Sequence, residues 1–470
     1  MMTYLFIQLA LLFNYFVIVY LIFNNSLHFL QIVMGVSIID FNYKRSNYLD
    51  YEKYKNSESM IPISLLVPAY NEEVTIVDSI NSFLSLDYKL YEIIVINDGS
   101  SDATLEKLIH NFDLVEMKEP VRRIIATKSV RGVYRNVNIP NLIIIDKENG
   151  GKADALNCGI NVSRYPLFVS VDADCILDKE SLTRISFPFI IDKTIVAAGG
   201  VVRIANESEI EHGNIKKIKL PQKYLSMFQL IEYLRAFFLG RAAFDYFHSL
   251  LIISGAFGAF KKETIVKLGG YTPNTIGEDM ELILKIHKYL TMEKEEYKIL
   301  FLPDPICWTQ VPERLKDLKS QRERWQIGLM DCLIKHKDMF FNSRYGLIGL
   351  IAIPYYWIFE FLGPLIDLGI FIVIPILMYF DIIRLAPAWI LIFITLLIGM
   401  IQSLSAILTE QFTFNKYSSI KQLIKLSGFS ILENFGYRQL IVFFRISGMV
   451  KYRKNKNKWG KIERKSFTEE

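Results

Sequence analysis

Cysteine is scarce in this sequence: Cys158, Cys175, Cys307 and Cys332 are the four among 470 residues. None stands at a metal-ligand spacing, which excludes a zinc module and a disulfide scaffold and leaves free thiols, as expected of a cytoplasmic region. Histidine is scarce too, at six. Charge of one sign is not in large excess: the net charge is +5, most of it beside apolar runs, so no polybasic nucleic-acid surface is expected. There is no internal repeat and no low-complexity segment. A Walker phosphate loop is also missing, because the glycine pair before Lys152 has the wrong spacing.

Charge is absent altogether from residues 3–23, TYLFIQLALLFNYFVIVYLIF. Hydrophobic residues make up 51% of the chain and the mean hydropathy is +0.24, which excludes an ordinary soluble protein of this size. The run is long enough to span a bilayer, which takes about 20 apolar residues. Nothing basic precedes it and no small-residue cleavage site follows, so it reads as a retained anchor and not a cleaved signal. Lys44, Arg45, Lys53 and Lys55 come after it. The positive-inside rule then places residues 60–345 in the cytoplasm.

Further apolar runs cover 346–380 and 387–409. A weaker one, 428–450, carries Glu433, Arg438 and Arg445. The tail from Lys451 is strongly basic and suits the cytoplasmic membrane surface better than a nucleic acid. With both flanks inside, the crossings after residue 345 number two or four. Glu360 and Asp367 lie within 346–380 and should face protein or water. The expected organisation is an anchor over 1–42, a catalytic domain over 43–310, interfacial helices over 311–345, membrane helices over 346–450 and a basic tail over 451–470.

Between the apolar ends, short apolar runs alternate with helical patterns. Residues 63–71, 91–100, 141–146 and 165–174 read as strands, and the alternation argues for a mostly parallel α/β sheet covered by helices. Ligands bind such sheets at the carboxyl ends of strands. Polar clusters lie there: YNEE, NDGS and DADC. Residues 111–140 carry several basic residues and no clear pattern.

Asp172 and Asp174 stand two apart as a strand ends, which places them on one side if the pleat continues. Two adjacent carboxylates call for a cation between them, and oxygen ligands suit Mg2+ or Mn2+; alternatively they form a solvated turn. Gly150 and Gly151 permit close backbone approach, and Lys152 at a helix start suits a phosphate, or simply begins a helix. Asp98 follows a strand and can accept from a base or ribose, or form a turn. Glu278, Asp279 and Glu281 precede a helical pattern, where acids are common for dipole reasons alone. Gln321, Arg324 and Trp325 share one helical face.

In order along the chain, VPAYNEE, INDGSSDAT, GGKADALN, VDAD, SGAFGAF, GEDME and QRERW form a set that resembles the processive family 2 glycosyltransferases: cellulose, chitin, hyaluronan and poly-N-acetylglucosamine synthases. The likeness covers about residues 60–330 and, in outline, the flanking apolar segments. It implies a GT-A α/β domain inserted between transmembrane helices of a multi-pass plasma-membrane protein. It further implies a UDP-sugar donor, Mg2+ or Mn2+, and inverting transfer to a growing polysaccharide, with accessory export proteins as further partners.

Carried onto this chain, the resemblance gives Tyr70, Glu72 and Asp98 the uridine, Lys152 the diphosphate or the donor loop, and Asp172 a place beside the nucleotide. Asp174 binds the metal, Asp279 is the base with Glu278 beside it, and Gln321, Arg324 and Trp325 line the acceptor and diphosphate side. Two departures stand out. The family's Thr-Glu-Asp is Gly277-Glu278-Asp279 here, and its Asp-Asp-Gly is Asn97-Asp98-Gly99. The expected product is a β-linked polymer of glucose or N-acetylglucosamine, extruded through the enzyme's own membrane segments. The rivals are a non-processive transferase adding one sugar to a lipid, and a non-enzymatic nucleotide-sugar sensor or transporter.

Overall fold

The computed structural model describes residues 2–55, 57–211, 213–380, 382, 385–417 and 419–455; most of the basic tail lies outside them. The strands are β1 (Ile63–Ala69), β2 (Tyr91–Asn97), β3 (Val115–Met117), β4 (Val130–Asn136), β5 (Ile139–Lys147), β6 (Leu167–Val171), β7 (Cys175–Leu177), β8 (Ile195–Ile204), β9 (Glu209–Glu211), β10 (Asn214–Lys217), β11 (Phe257–Lys261) and β12 (Lys298–Thr309). Ten form one sheet in the order β3-β4-β5-β2-β1-β6-β11-β8-β12-β7, with β9 and β10 pairing separately.

The four strands expected from sequence are its parallel centre. β5, β2, β1 and β6 run the same way, their apolar runs buried on both faces as a parallel sheet requires. Residues 111–140, which show no pattern as sequence, contain β3 and β4, an antiparallel edge hung on β5. Their polar, half-exposed residues carry no two-residue alternation to read. On the other side β6 meets β11 antiparallel and β11 meets β8 antiparallel. The β8 run is glycine-split, and a Cβ at Gly200 would lie inside the Phe257 ring. Glycine there lets the phenylalanine cross the sheet.

One helix spans Met2–Tyr48, much longer than the uncharged run. Its later part is held by the rest of the protein: Ile39 is fully buried and Gly35 sits against the Leu239 carbonyl. Lys55, counted among the basic flank, has another task. It is buried and paired with Glu52, Asp87 and Glu180. By length and composition two helices, Gln8–Tyr48 and Trp389–Thr413, can cross a membrane, or three if the bent pair Ile348–Phe361 and Gly363–Tyr379 is one span. Asn25 on the first of these donates to Thr395 on Trp389–Thr413 at 3.2 Å.

The run 428–450 does not form one apolar helix. It is divided between Ile420–Leu432 and Tyr437–Asn455, with Gly436 at φ 105° in the break. Glu433, at that break, accepts from Ser403 at 2.6 Å and Arg438 at 2.7 Å, and from Arg235. Glu360 faces a protein partner, one of the two surroundings expected for it, and pairs with Arg445 at 3.1 Å. All four cysteines are free and buried.

Candidate active site

The carboxyl ends of β1 and β2 are laced together. Asn71 adopts φ 57° to turn the chain, and its side-chain oxygen accepts from the Ser101 amide at 2.8 Å. The Glu72 amide donates to Thr104 Oγ1 at 2.9 Å, while its carboxylate accepts from Thr75 at 3.1 Å. Tyr70 stands between these loops with half its surface exposed. Tyr70, Glu72 and Asp98 thus lie at adjacent strand ends.

Asp98 has a structural task that the sequence does not disclose. Its buried carboxylate accepts from Lys147 Nζ at 2.6 Å, from the Gly150 amide at 3.0 Å and from the Gly151 amide at 2.7 Å. Lys147 is fully buried and also reaches Asp154 at 2.6 Å. The neighbouring carboxylates raise its pKa against a burial that lowers it. The trio therefore fixes the glycine turn that delivers Lys152. Gly151 has φ 85°, the left-handed region that glycine enters without strain. Lys147 was readable in principle, as a lysine closing the apolar run NLIIIDK.

Lys152 opens the helix Lys152–Val162. Its ammonium lies 2.5 Å from Asp172 and 3.4 Å from Glu278. Burial lowers its pKa, but Asp172 and Glu278 outweigh that and leave it raised. One lysine thereby joins the glycine turn, the aspartate pair and the later acidic helix. A Cβ at Gly255, in SGAFGAF, would lie 2.8 Å from that ammonium and 3.7 Å from Asp279 Cβ. The bare backbone of Gly255 is what lets the lysine and Asp279 approach each other.

The aspartate pair departs from the pleat argument. β6 ends at Val171, and Asp172, Ala173 and Asp174 form the turn into β7. The turn separates them: Asp174 is buried and Asp172 is about a third exposed. A divalent cation fits these oxygen donors, with the buried Asp174 the candidate ligand and Asp172, which holds the Lys152 ammonium, beside it. Among the described residues no three His, Cys, Asp or Glu converge on one point. A cation here would complete its shell with ligand oxygens and water, the habit of Mg2+.

Glu278 and Asp279 begin the helix Glu278–Glu293. Glu278 is buried, and burial pushes its carboxyl up to about 7, with Lys152 opposing and Asp279 adding to the shift. Asp279 is half-buried and accepts from the Met280 amide at 2.8 Å. Gly277 explains the departure from threonine. A Cβ there would lie 3.0 Å from the Gly328 carbonyl and 3.0 Å from Cys332 Sγ. Two glycines let the start of this helix press on the helix Leu315–Lys335, and Thr275 bonds Asp331 across the same seam at 3.0 Å.

Gln321, Arg324 and Trp325 all lie on that second helix. The Gln321 side-chain oxygen is buried, with no hydrogen-bond partner among the described residues. Arg324 lies near enough to Glu278 for its charge to oppose the upward shift of that carboxyl. Trp325 packs at 5.6 Å on Phe237, with the Arg322 guanidinium 4.2 Å over its ring. Arg322 is missed by the sequence reading. It is buried and donates to Glu232 at 2.8 Å, and Tyr437 donates to the same carboxylate at 2.6 Å. Separations of 90 and 205 residues leave no local pattern to find.

The family model described as "Glycosyltransferase like family 2" matches residues 61–328. A Poly-beta-1,6-N-acetyl-D-glucosamine synthase of Staphylococcus aureus (strain COL) is 31% identical over 281 residues, which are 60% of this chain and 57% of that protein. One from Staphylococcus epidermidis is 30% identical over 278 residues, 58% of this chain and 56% of that protein. The chain thus spans less than two thirds of the length of these curated relatives. A solved mannosyltransferase from Pyrobaculum calidifontis, in complex with GDP-Man and Mn2+, is 17% identical with a TM-score of 0.49, over 91% of this chain and 98% of that one.

Proposed function

The chain belongs to glycosyltransferase family 2, a GT-A enzyme family, and on that premise we propose that it is a processive, inverting polysaccharide synthase. Its donor in this reading is a UDP-activated hexose, UDP-N-acetylglucosamine ahead of UDP-glucose. The product is a β-linked polymer that leaves through the membrane helices, with the catalytic sheet in the cytoplasm. The observation that carries the proposal is Lys152, whose ammonium meets Asp172 on one side and Glu278 on the other. It gathers a glycine turn suited to a phosphate, an oxygen-donor turn and the start of an acidic helix at the strand ends where such sheets hold ligands. The identity to synthases named for N-acetylglucosamine favours that sugar.

In this reading Tyr70 and Glu72 flank the uridine, and Asp98 shapes the floor beneath it by holding Gly150 and Gly151. Asp279 takes the proton of the acceptor hydroxyl as it attacks the anomeric carbon. Lys152 and Arg324 face the departing diphosphate, which needs positive charge and no proton. Glu278 holds Lys152 in place. Mg2+ or Mn2+, held by Asp174 with Asp172 beside it, would offset further phosphate charge when bound. With a single base and direct displacement, an α-linked donor gives a β linkage. Gln321 and Trp325 receive the acceptor sugar, Trp325 by offering a flat apolar face to its C–H bonds.

The test is a panel of radiolabelled UDP-sugars on purified protein, with the product sized and digested by linkage-specific hydrolases. Long β-linked product from one sugar is expected. A single sugar on a lipid would favour the non-processive alternative instead.

A further inference from the structure

Five arginines around the seam between the sheet and the membrane-side helices each reach a glutamate. Arg203 pairs with Glu410, Arg235 and Arg438 with Glu433, Arg322 with Glu232, and Arg445 with Glu360. A sixth, Arg241, reaches none. Among the described residues its guanidinium makes no ion pair and no hydrogen bond, and it rests 4.6 Å from the centre of the Phe237 ring. Burial without a partner is costly for a cation, and an arginine carries five donors in a planar fork. Arg241 is half-buried, and among the described residues none of those donors is committed to an acceptor.

Its surroundings tell which ligand. Arg241 follows the π-helical segment Tyr233–Gly240; segments of that kind recur at functional sites. Tyr233 packs at 4.5 Å on Phe237, and Phe237 packs on Trp325. Burial holds the guanidinium's pKa below the ordinary arginine value, and Tyr356, Asp279 and Tyr233 are the groups that act on it. Arg241 is therefore tied through Phe237 to Trp325 and lies within reach of the charge of Asp279. Uncommitted donors set beside aromatic faces match a ring that offers oxygens to the fork and C–H bonds to the aromatic rings.

We propose that Arg241 is an acceptor-binding residue, donating hydrogen bonds to the hydroxyl or N-acetyl carbonyl oxygens of the acceptor sugar lodged beside Phe237 and Trp325. This rests on the synthase reading above and adds a contact outside the QRERW helix. Guanidinium geometry suits it, since two parallel donors fix a ring's orientation where an ammonium fixes a distance. Arg241 would thereby aim the attacking hydroxyl at Asp279.

The test uses the full chain in detergent, UDP-N-acetylglucosamine labelled in the sugar, and UDP with Mn2+ for binding. Arg241→Ala is expected to lower sugar incorporated into polymer about tenfold or more, with UDP affinity within about twofold of wild type. UDP released per sugar incorporated should rise, as water replaces a poorly held acceptor. Arg241→Lys, which keeps the charge and loses the fork, should recover part of the incorporation, and this separates a binding role from misfolding. Equal losses in UDP affinity and incorporation would assign Arg241 to the donor diphosphate and overturn the proposal. So would normal incorporation by Arg241→Ala. A wild-type chain that binds UDP yet incorporates no label would instead refute the synthase reading beneath it.

Discussion

In the proposed reading the cleft has a donor wall and an acceptor wall, and the two balance their buried charge over different distances. On the donor wall Asp98, Lys147, Asp154, Lys152 and Asp172 pair with one another at the end of β5, the glycine turn, the start of the helix Lys152–Val162 and the turns after β2 and β6, and Lys152 also reaches Glu278. On the acceptor wall the helix Leu315–Lys335 depends on partners from far along the chain. Arg322 needs Glu232, Gln326 meets Arg445 at 2.7 Å, and Glu323 meets Lys451 at 2.7 Å. The donor wall is complete once the sheet has folded. The acceptor wall is complete only when the carboxy-terminal helix Tyr437–Asn455 has docked. A polymer that leaves into membrane helices would benefit from that dependence, because its acceptor site forms together with its exit.

The sharpest way to break the comparison is at Asp279, where the walls meet. Asp279→Asn keeps shape and removes the base, so transfer should fall by about 10²–10⁴ while UDP affinity is kept. Initial rates and a UDP titration check both halves. Wild-type rates would move the base elsewhere.

Next comes Glu232→Ala, which leaves Arg322 buried without a carboxylate. A loss of about 3–5 kcal/mol is expected for one orphaned partner of a buried pair, read from thermal unfolding in detergent. Folded survivors should bind UDP normally and make little polymer. Its counterpart on the donor wall is Lys147→Met. With Asp98 and Asp154 left facing each other, UDP affinity should drop, and the indole of Trp325 should keep its fluorescence. If both variants lose UDP affinity alike, the walls are not separable.

A smaller effect is expected at Gly277. Gly277→Thr restores the residue usual in the family, yet here its Cβ meets a backbone carbonyl of the neighbouring helix. Overpacking of this kind costs about 1–3 kcal/mol. A lowered melting temperature with a raised acceptor requirement is the expected outcome, and an unchanged one would remove the close approach of Gly277 and Gly328 from the account.

The same contrast explains what could be read in the sequence. The donor wall was legible because its parts are contiguous: an apolar strand, then a polar cluster, three times over. Lys152 beside two glycines and the pair Asp172 and Asp174 signal themselves by local spacing. The turn that separates the aspartates was not legible, since period-two reasoning assumes a strand that in fact stops at Val171. β8 and β12 escaped because glycines and prolines interrupt their runs, and β3 and β4 because an edge hairpin needs no apolar face. On the acceptor wall the motif residues were visible, but their supports were not. Glu232, Arg322 and Tyr437 become a unit only in three dimensions, and Arg241 stands out only once every neighbouring arginine is seen to have a partner.

Trp325→Ala and Asp174→Ala, compared for UDP affinity in Mn2+ and for polymer formed from one labelled UDP-sugar, test the central claim most directly. The account predicts opposite signatures: near-normal UDP affinity with almost no polymer for Trp325→Ala, and weakened metal-dependent UDP binding for Asp174→Ala. Normal polymer yield from Trp325→Ala, or UDP binding by Asp174→Ala that keeps its full metal dependence, would contradict the division of the cleft into a donor wall and an acceptor wall.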